Sequence, residues 1–189
     1  MLQKSGVEAI YMLKEQSIAP DFIVPKLVDL VVQTSVTGRK IRIANCCWIP
    51  LLTMPIEQAH EQLHKMLRDL VKPVLVIDEG NLRLSAVDFA SFLRRHLMTV
   101  LARISADQLH RMVIVYQPRW AAEYRLPADT QRIRIAHRQI RDVLATVYEL
   151  AIATQVAIFY GGFLFKDELS NVMNDDNVNG VVVGNGKQV

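Results

Sequence analysis

Met112-Val113-Ile114-Val115-Tyr116, followed at once by Gln117-Pro118-Arg119-Trp120, is the stretch whose reading decides the fold. An apolar run this short, bounded by a proline turn, reads as a strand covered on both faces, as in a parallel sheet. Two further runs follow it, 155–160 and 180–183, with helical segments between them. The loops after them are Gly161-Gly162 and Gly184-Asn185-Gly186. In parallel α/β sheets the functional groups gather at the carboxyl ends of the strands. Gln117 and the two glycine pairs stand at three such ends.

Glycine pairs leave backbone N–H groups uncovered, which suits an anion such as phosphate. They also serve plain tight turns. Two pairs closing consecutive βα units favour phosphate, with Gly161, Gly162, Gly184 and Gly186 as the candidate ligands.

Upstream, Val7–Met12 reads as a first strand, with Lys14 at its carboxyl end. Asp21 is a candidate N-cap for a helix over roughly 21–34, because Ile23, Leu27, Leu30 and Val31 keep helical spacing. A strand is expected at 40–46. Pro55 opens a helix with an apolar face of Ile56, Ala59, Leu63, Met66, Leu67 and Leu70, ended by Lys72-Pro73. A strand at 74–78 follows, and Ser85-Ala86-Val87-Asp88 resembles a capping box opening a helix to about 103. Ser105-Ala106-Asp107-Gln108 caps a short turn. The helix over 129–149 turns Ile133, Ala136, Ile140, Val143, Leu144 and Val147 inward. Arg132, Arg134, His137, Arg138 and Arg141 make it the most basic segment, read as a solvated face.

The resulting pattern is six strands alternating with helices, a parallel α/β architecture in one domain, 1–189. With 51% hydrophobic and 22% charged residues the chain is globular. A net charge of +3 gives no ground for a nucleic-acid partner. No run spans a bilayer and no signal-peptide pattern opens the chain, so a cytoplasmic location is expected. Cys46 and Cys47, adjacent at the end of a strand, offer neither a disulfide framework nor zinc spacing and read as buried small residues. His60 and His64 have ligand spacing without a convergent third group, so a surface pair is expected and no metal or cofactor. Trp48 and Trp120 read as packing residues.

Three of these motifs also resemble a known family. Tyr116-Gln117-Pro118-Arg119-Trp120-Ala121, Tyr160-Gly161-Gly162 and Asn179-Gly180-Val181-Val182-Val183-Gly184 are similar, in order and spacing, to segments of triosephosphate isomerase. That family carries Tyr-Glu-Pro-Val-Trp-Ala, Tyr-Gly-Gly-Ser and Asp-Gly-x-x-Val-Gly-Gly there. The resemblance covers 112–187 well and 6–47 weakly, and makes 48–84 a family-atypical insertion. It implies TIM-barrel-like alternating βα units. With six strands against the family's eight, it implies an incomplete or modified barrel lacking the amino-terminal strands. Such a barrel is closed with fewer strands, left open, or completed by another chain.

The resemblance also implies where chemistry is altered. The family's glutamate base corresponds to Gln117, which has no basic lone pair at neutral pH. Aligning Gly6-Val7-Glu8 puts Lys14 at the electrophilic histidine, and the family's first-strand asparagine and lysine find no counterpart. The glycine-bearing lid becomes Ala121-Ala122-Glu123-Tyr124-Arg125, with Glu123 a conceivable replacement base, and Phe163 stands where the family has serine. The expectation is an inactive relative acting as a structural or interaction subunit, with a protein partner or as a homo-oligomer. The alternatives are a sugar-phosphate-binding sensor and an active isomerase of a small sugar phosphate such as glyceraldehyde 3-phosphate.

Overall fold

A computed structural model describes residues 28–33, 40–79, 84–124, 126–165 and 167–182. Their strands are β1 (Val28–Gln33), β2 (Lys40–Pro50), β3 (Lys72–Ile77), β4 (Val113–Tyr116), β5 (Ile158–Tyr160) and β6 (Gly180–Val182). They close into a barrel in chain order, with β6 returning to β1. From β2 to β6 every pairing is parallel, whereas β1 runs antiparallel to both of its neighbours. The expectation of a modified βα barrel holds, and closure with fewer strands is the form it takes.

The helix expected over 21–34 is not what forms at its carboxyl half: residues 28–33 are strand. Val28, Val31 and Val32 are β-branched, which favours a pleated surface. The five parallel strands alone would leave β2 and β6 as unpaired edges. Pairing of Val31 with Arg42 on one side, and of Val32 with Val182 on the other, covers both. The strand expected at 7–12 and Lys14 lie outside the described residues, as do Gly184 and Gly186. Strand β2 continues four residues beyond the expected 46, so Cys46 and Cys47 lie within it.

Helices fill the connections. Helix α1 (Ile56–Arg68) joins β2 to β3, which takes its place between β2 and β4 in the barrel. Helices α2 (Ala86–Val100) and α3 (Ala106–His110) join β3 to β4. Helices α4 (Arg119–Glu123), α5 (Thr130–Val147) and α6 (Leu150–Ala153) lead to β5, and α7 (Leu169–Met173) to β6. Side chains cap the starts of α2, α3 and α5. The Ser85 hydroxyl accepts from the Asp88 amide at 3.1 Å, Ser105 and Gln108 complete a reciprocal box, and the Asp129 carboxylate accepts from the Gln131 amide at 2.9 Å.

Strand alternation separates two cores. Val74, Val76, Val113, Val115, Phe159 and Val182 pack inside the barrel. Leu75, Ile77, Ile114, Tyr116, Ile158, Tyr160 and Val181 face outward into the larger core under the helices. Each fully buried Leu or Ile there contributes about 1.5–3 kcal/mol.

Helix α1 ends before the expected stop. Leu70 adopts φ 58° and the Val71 amide donates back to the Met66 carbonyl at 3.0 Å, a Schellman turn. Lys72-Pro73 therefore begin β3 instead of ending the helix. Leu70 is 80% exposed, so its side chain contributes little packing against the left-handed strain. Leu70→Gly is expected to raise the unfolding free energy by about 0.5–1 kcal/mol in urea titration.

Candidate functional site

The carboxyl ends of β3, β4 and β5 put Asp78, Gln117 and Gly161 side by side at one mouth of the barrel. Tyr116 is in register with Ile77 and with Tyr160, so the next residue of each strand shares one inward row. The ladder runs on through this row: the Gln117 amide donates to the Ile77 carbonyl at 2.8 Å, and the Gly161 amide to the Tyr116 carbonyl at 2.9 Å. A Cβ on Gly161 would stand 2.7 Å from Val115 Cγ1 and 3.5 Å from Gln117 Cβ, so that glycine is a close-packing requirement. At Gly162 a Cβ would collide with the Tyr160 hydroxyl. Both glycines are buried.

Gln117 is 1% exposed, and neither Oε1 nor Nε2 of its side chain has a hydrogen-bond partner among the described residues. A buried, unsatisfied carboxamide costs free energy on the order of 1–3 kcal/mol, and such groups collect at functional positions. Beside it, Asp78 binds the start of α4: Oδ1 accepts from the Arg119 amide at 3.1 Å and Oδ2 from Arg119 Nε at 2.9 Å. The segment after Gln117 is thereby a short helix pinned at its first residue. The Tyr124 amide donates to the Trp120 carbonyl at 3.1 Å, and the Leu126 amide to Ala121 at 3.1 Å. Glu123 is the last residue of this helix.

Behind the row, on the outer face of the same strands, lies a second polar layer. The Tyr116 hydroxyl donates to Glu79 Oε1, and Arg132 of α5 donates Nη2 to Glu79 Oε2 and, at 3.0 Å, to the Leu84 carbonyl. Burial first, then the Glu79 charge and hydrogen bond, push the Tyr116 hydroxyl well above its ordinary range. Burial works against the Arg132 charge, but the Glu79 hydrogen bond and charge outweigh it and raise its pKa. The Arg132 guanidinium also stands 6.0 Å from the centre of the Trp120 ring, which is a packed residue. His137 meets the Tyr116 ring edge-on at 5.9 Å between centroids.

The basic segment is not the solvated face the sequence suggests. His137 is fully buried, with Nδ1 3.3 Å from the Asn177 carbonyl. Arg141 is buried and donates to the Ala153 and Val156 carbonyls and to Asn179 Oδ1, each at 2.6 Å. Asn179 in turn accepts from the Ile158 amide at 2.8 Å, so Arg141 ties α5 to the starts of β5 and β6. Arg132 pairs with Glu79, while Arg134 and Arg138 are exposed. His60 and His64 each bond a carbonyl near the end of α2, Val100 and Ala102, at 3.1 Å. Asp78, Glu79 and Arg119 were missed in the sequence. The signal was there: Asp78-Glu79 follow an apolar strand as Gln117 does.

A parallel βα barrel with its polar row at the carboxyl ends defines a TIM-barrel-like α/β protein. The chain belongs to the triosephosphate isomerase family: the profile described as "Triosephosphate isomerase" matches residues 55–188. Triosephosphate isomerase from Francisella tularensis subsp. mediasiatica (strain FSC147) is 30% identical over 128 residues, 68% of this chain and 50% of the relative. That of Herpetosiphon aurantiacus is 31% identical, covering 66% of this chain and 50% of the relative. That of Lactiplantibacillus plantarum is 26% identical, covering 68% and 51%. The chain spans about half the length of the curated relatives it matches. The family profile takes in 55–84 as well as the three motifs, and does not reach Lys14.

Two outcomes check the buried layer. Burial, with a smaller contribution from the Arg141 charge, lowers His137 to about 4 despite the opposing Asn177 carbonyl and Asp175. A folded pKa below the unfolded value near 6.5 means the unfolded chain binds the extra proton. Stability is therefore expected to fall as pH drops from about 6.5 to about 4, at up to roughly 1.4 kcal/mol per unit. Urea titrations across that window read the slope, and His137→Gln flattens it. Separately, Arg132→Gln leaves Glu79 buried with Tyr116 alone and is expected to cost about 2–4 kcal/mol. Glu79→Gln/Arg132→Gln recovers part of that loss.

Proposed function

We propose that this chain is a catalytically inactive member of the triosephosphate isomerase family that works as a structural or interaction subunit. Gln117 carries the reading. It is a buried carboxamide at the strand end where the family resemblance expects the carboxylate base. Isomerisation of a triose phosphate needs a group that removes a proton from carbon, and a carboxamide cannot take it. Losing a positioned general base costs about 10²–10⁴ in rate.

Two further features support the reading. The segment after Gln117 is anchored through Arg119 to Asp78 and contains no glycine from Trp120 to Arg125, whereas a closing lid needs hinges. The Gly161 amide is already donated to Tyr116, which removes one donor from the phosphate-sensor alternative. The reading takes residues 1–189 as one domain in the cytoplasm, engaged with a protein partner or a second copy. Among the described residues no helix is long and apolar enough to cross a membrane.

Purified protein given glyceraldehyde 3-phosphate is expected to form no dihydroxyacetone phosphate above the buffer rate. Conversion that disappears in Gln117→Ala overturns the reading. Calorimetric titration with 2-phosphoglycolate is expected to give no heat from folded protein, and saturable heat would establish the sensor alternative instead.

A further inference from the structure

Helix α2 buries Phe89, Phe92, Leu93, Leu97 and Val100 against the barrel. Its opposite face interrupts the polar residues of a solvated helix with apolar Val87, Ala90 and Met98. Two rows spaced four residues apart, Ala90-Arg94-Met98 and Val87-Ser91-Arg95, border a shallow groove of about 700 Å³. Val87 is 75% exposed and Met98 48%. The Ser91 hydroxyl donates to the Val87 carbonyl at 3.0 Å and Thr99 to the Arg95 carbonyl at 2.9 Å, so the groove offers mostly carbon.

Its charge is one-sided. Arg94 and Arg95 are exposed, make no ion pair among the described residues, and share the groove with no acidic side chain. At the end bordered by Ala86 and Gln139 the groove meets a pocket of about 200 Å³ between α2 and α5. There the Gln139 amide nitrogen donates to the Ala86 carbonyl at 2.9 Å, but its Oε1 and Arg132 Nε are buried without a partner among the described residues. An unmet acceptor and an unmet donor therefore stand together beside exposed carbon and unpaired cations.

Rows at i and i+4 are the ridges between which another helix packs. We propose that this face docks an amphipathic α-helix of a partner protein. Its apolar stripe would lie on Val87, Ala90 and Met98, and its Glu or Asp side chains would reach Arg94 and Arg95. Charge complementarity selects an acidic helix. The inference rests on the reading of the chain as an interaction subunit.

The probe is a synthetic amphipathic helix of about five turns, long enough to hold helical structure, with a leucine stripe flanked by Glu. Fluorescence anisotropy is expected to show saturable binding to the full chain. Affinity is expected to fall about tenfold or more in Arg94→Glu/Arg95→Glu and in Met98→Asp. It should be unchanged in Lys65→Glu/Arg68→Glu, an exposed pair on α1, and lost for a peptide with Lys in place of Glu. No saturable binding, or an equal loss in the α1 control, overturns the proposal. So does self-association in sedimentation that Met98→Asp abolishes, because it gives the face to a second copy. Isomerase activity in protein that still binds the peptide overturns the inactive reading and leaves the docking face standing.

Discussion

The pairing of β1 with two strands far apart in the chain is the constraint on which the rest of the structure depends. Five parallel strands make a twisted sheet whose first and last members each present a row of unpaired amides and carbonyls. One antiparallel strand satisfies both rows, Gln33 pairing with Lys40 on one side and with Val181 on the other. Closure then gives every strand an inside and an outside. The valine-rich interior, the polar row at the mouth and the helix-covered outer face all follow from that distinction.

Outside the barrel, ionisable groups are held among apolar side chains, where an unpaired charge is expensive. Each is met differently. Glu79 is held by a tyrosine and an arginine, Arg141 by two carbonyls and an asparagine, and His137 stays neutral. These contacts join α5 to three strand ends at once. The arrangement fixes a helix against a barrel.

The mouth and the outer surface carry opposite signs of completeness. At the mouth, Asp78 is committed to Arg119 and the Gly161 amide to Tyr116, while Gln117 has unmet capacity among the described residues. A lone buried carboxamide recognises polar atoms without abstracting protons. On α2 the unmet groups are cations and exposed carbon, which suit another protein. Both features underlie the proposed reading of the chain as an inactive interaction subunit.

Much of this was legible in the sequence because the signals are local. Apolar runs closed by turn residues located β3 to β6, serine caps located the starts of α2 and α3, and the carboxyl-end rule drew attention to the loop that begins at Gln117. The same rule applied to Asp78-Glu79 would have found the polar layer beside it. What only the tertiary structure decided involves partners distant in the chain. Residues 28–33 carry leucine and valine at spacings that fit a helix, and the unpaired edges of β2 and β6 make them a strand. Arg141 sits at the border of an apolar stripe, and only the approach of Ala153, Val156 and Asn179 turns it into a buried clamp. Local periodicity fixes which elements a segment can form. Hydrogen-bond satisfaction across the closed barrel selects the one that does.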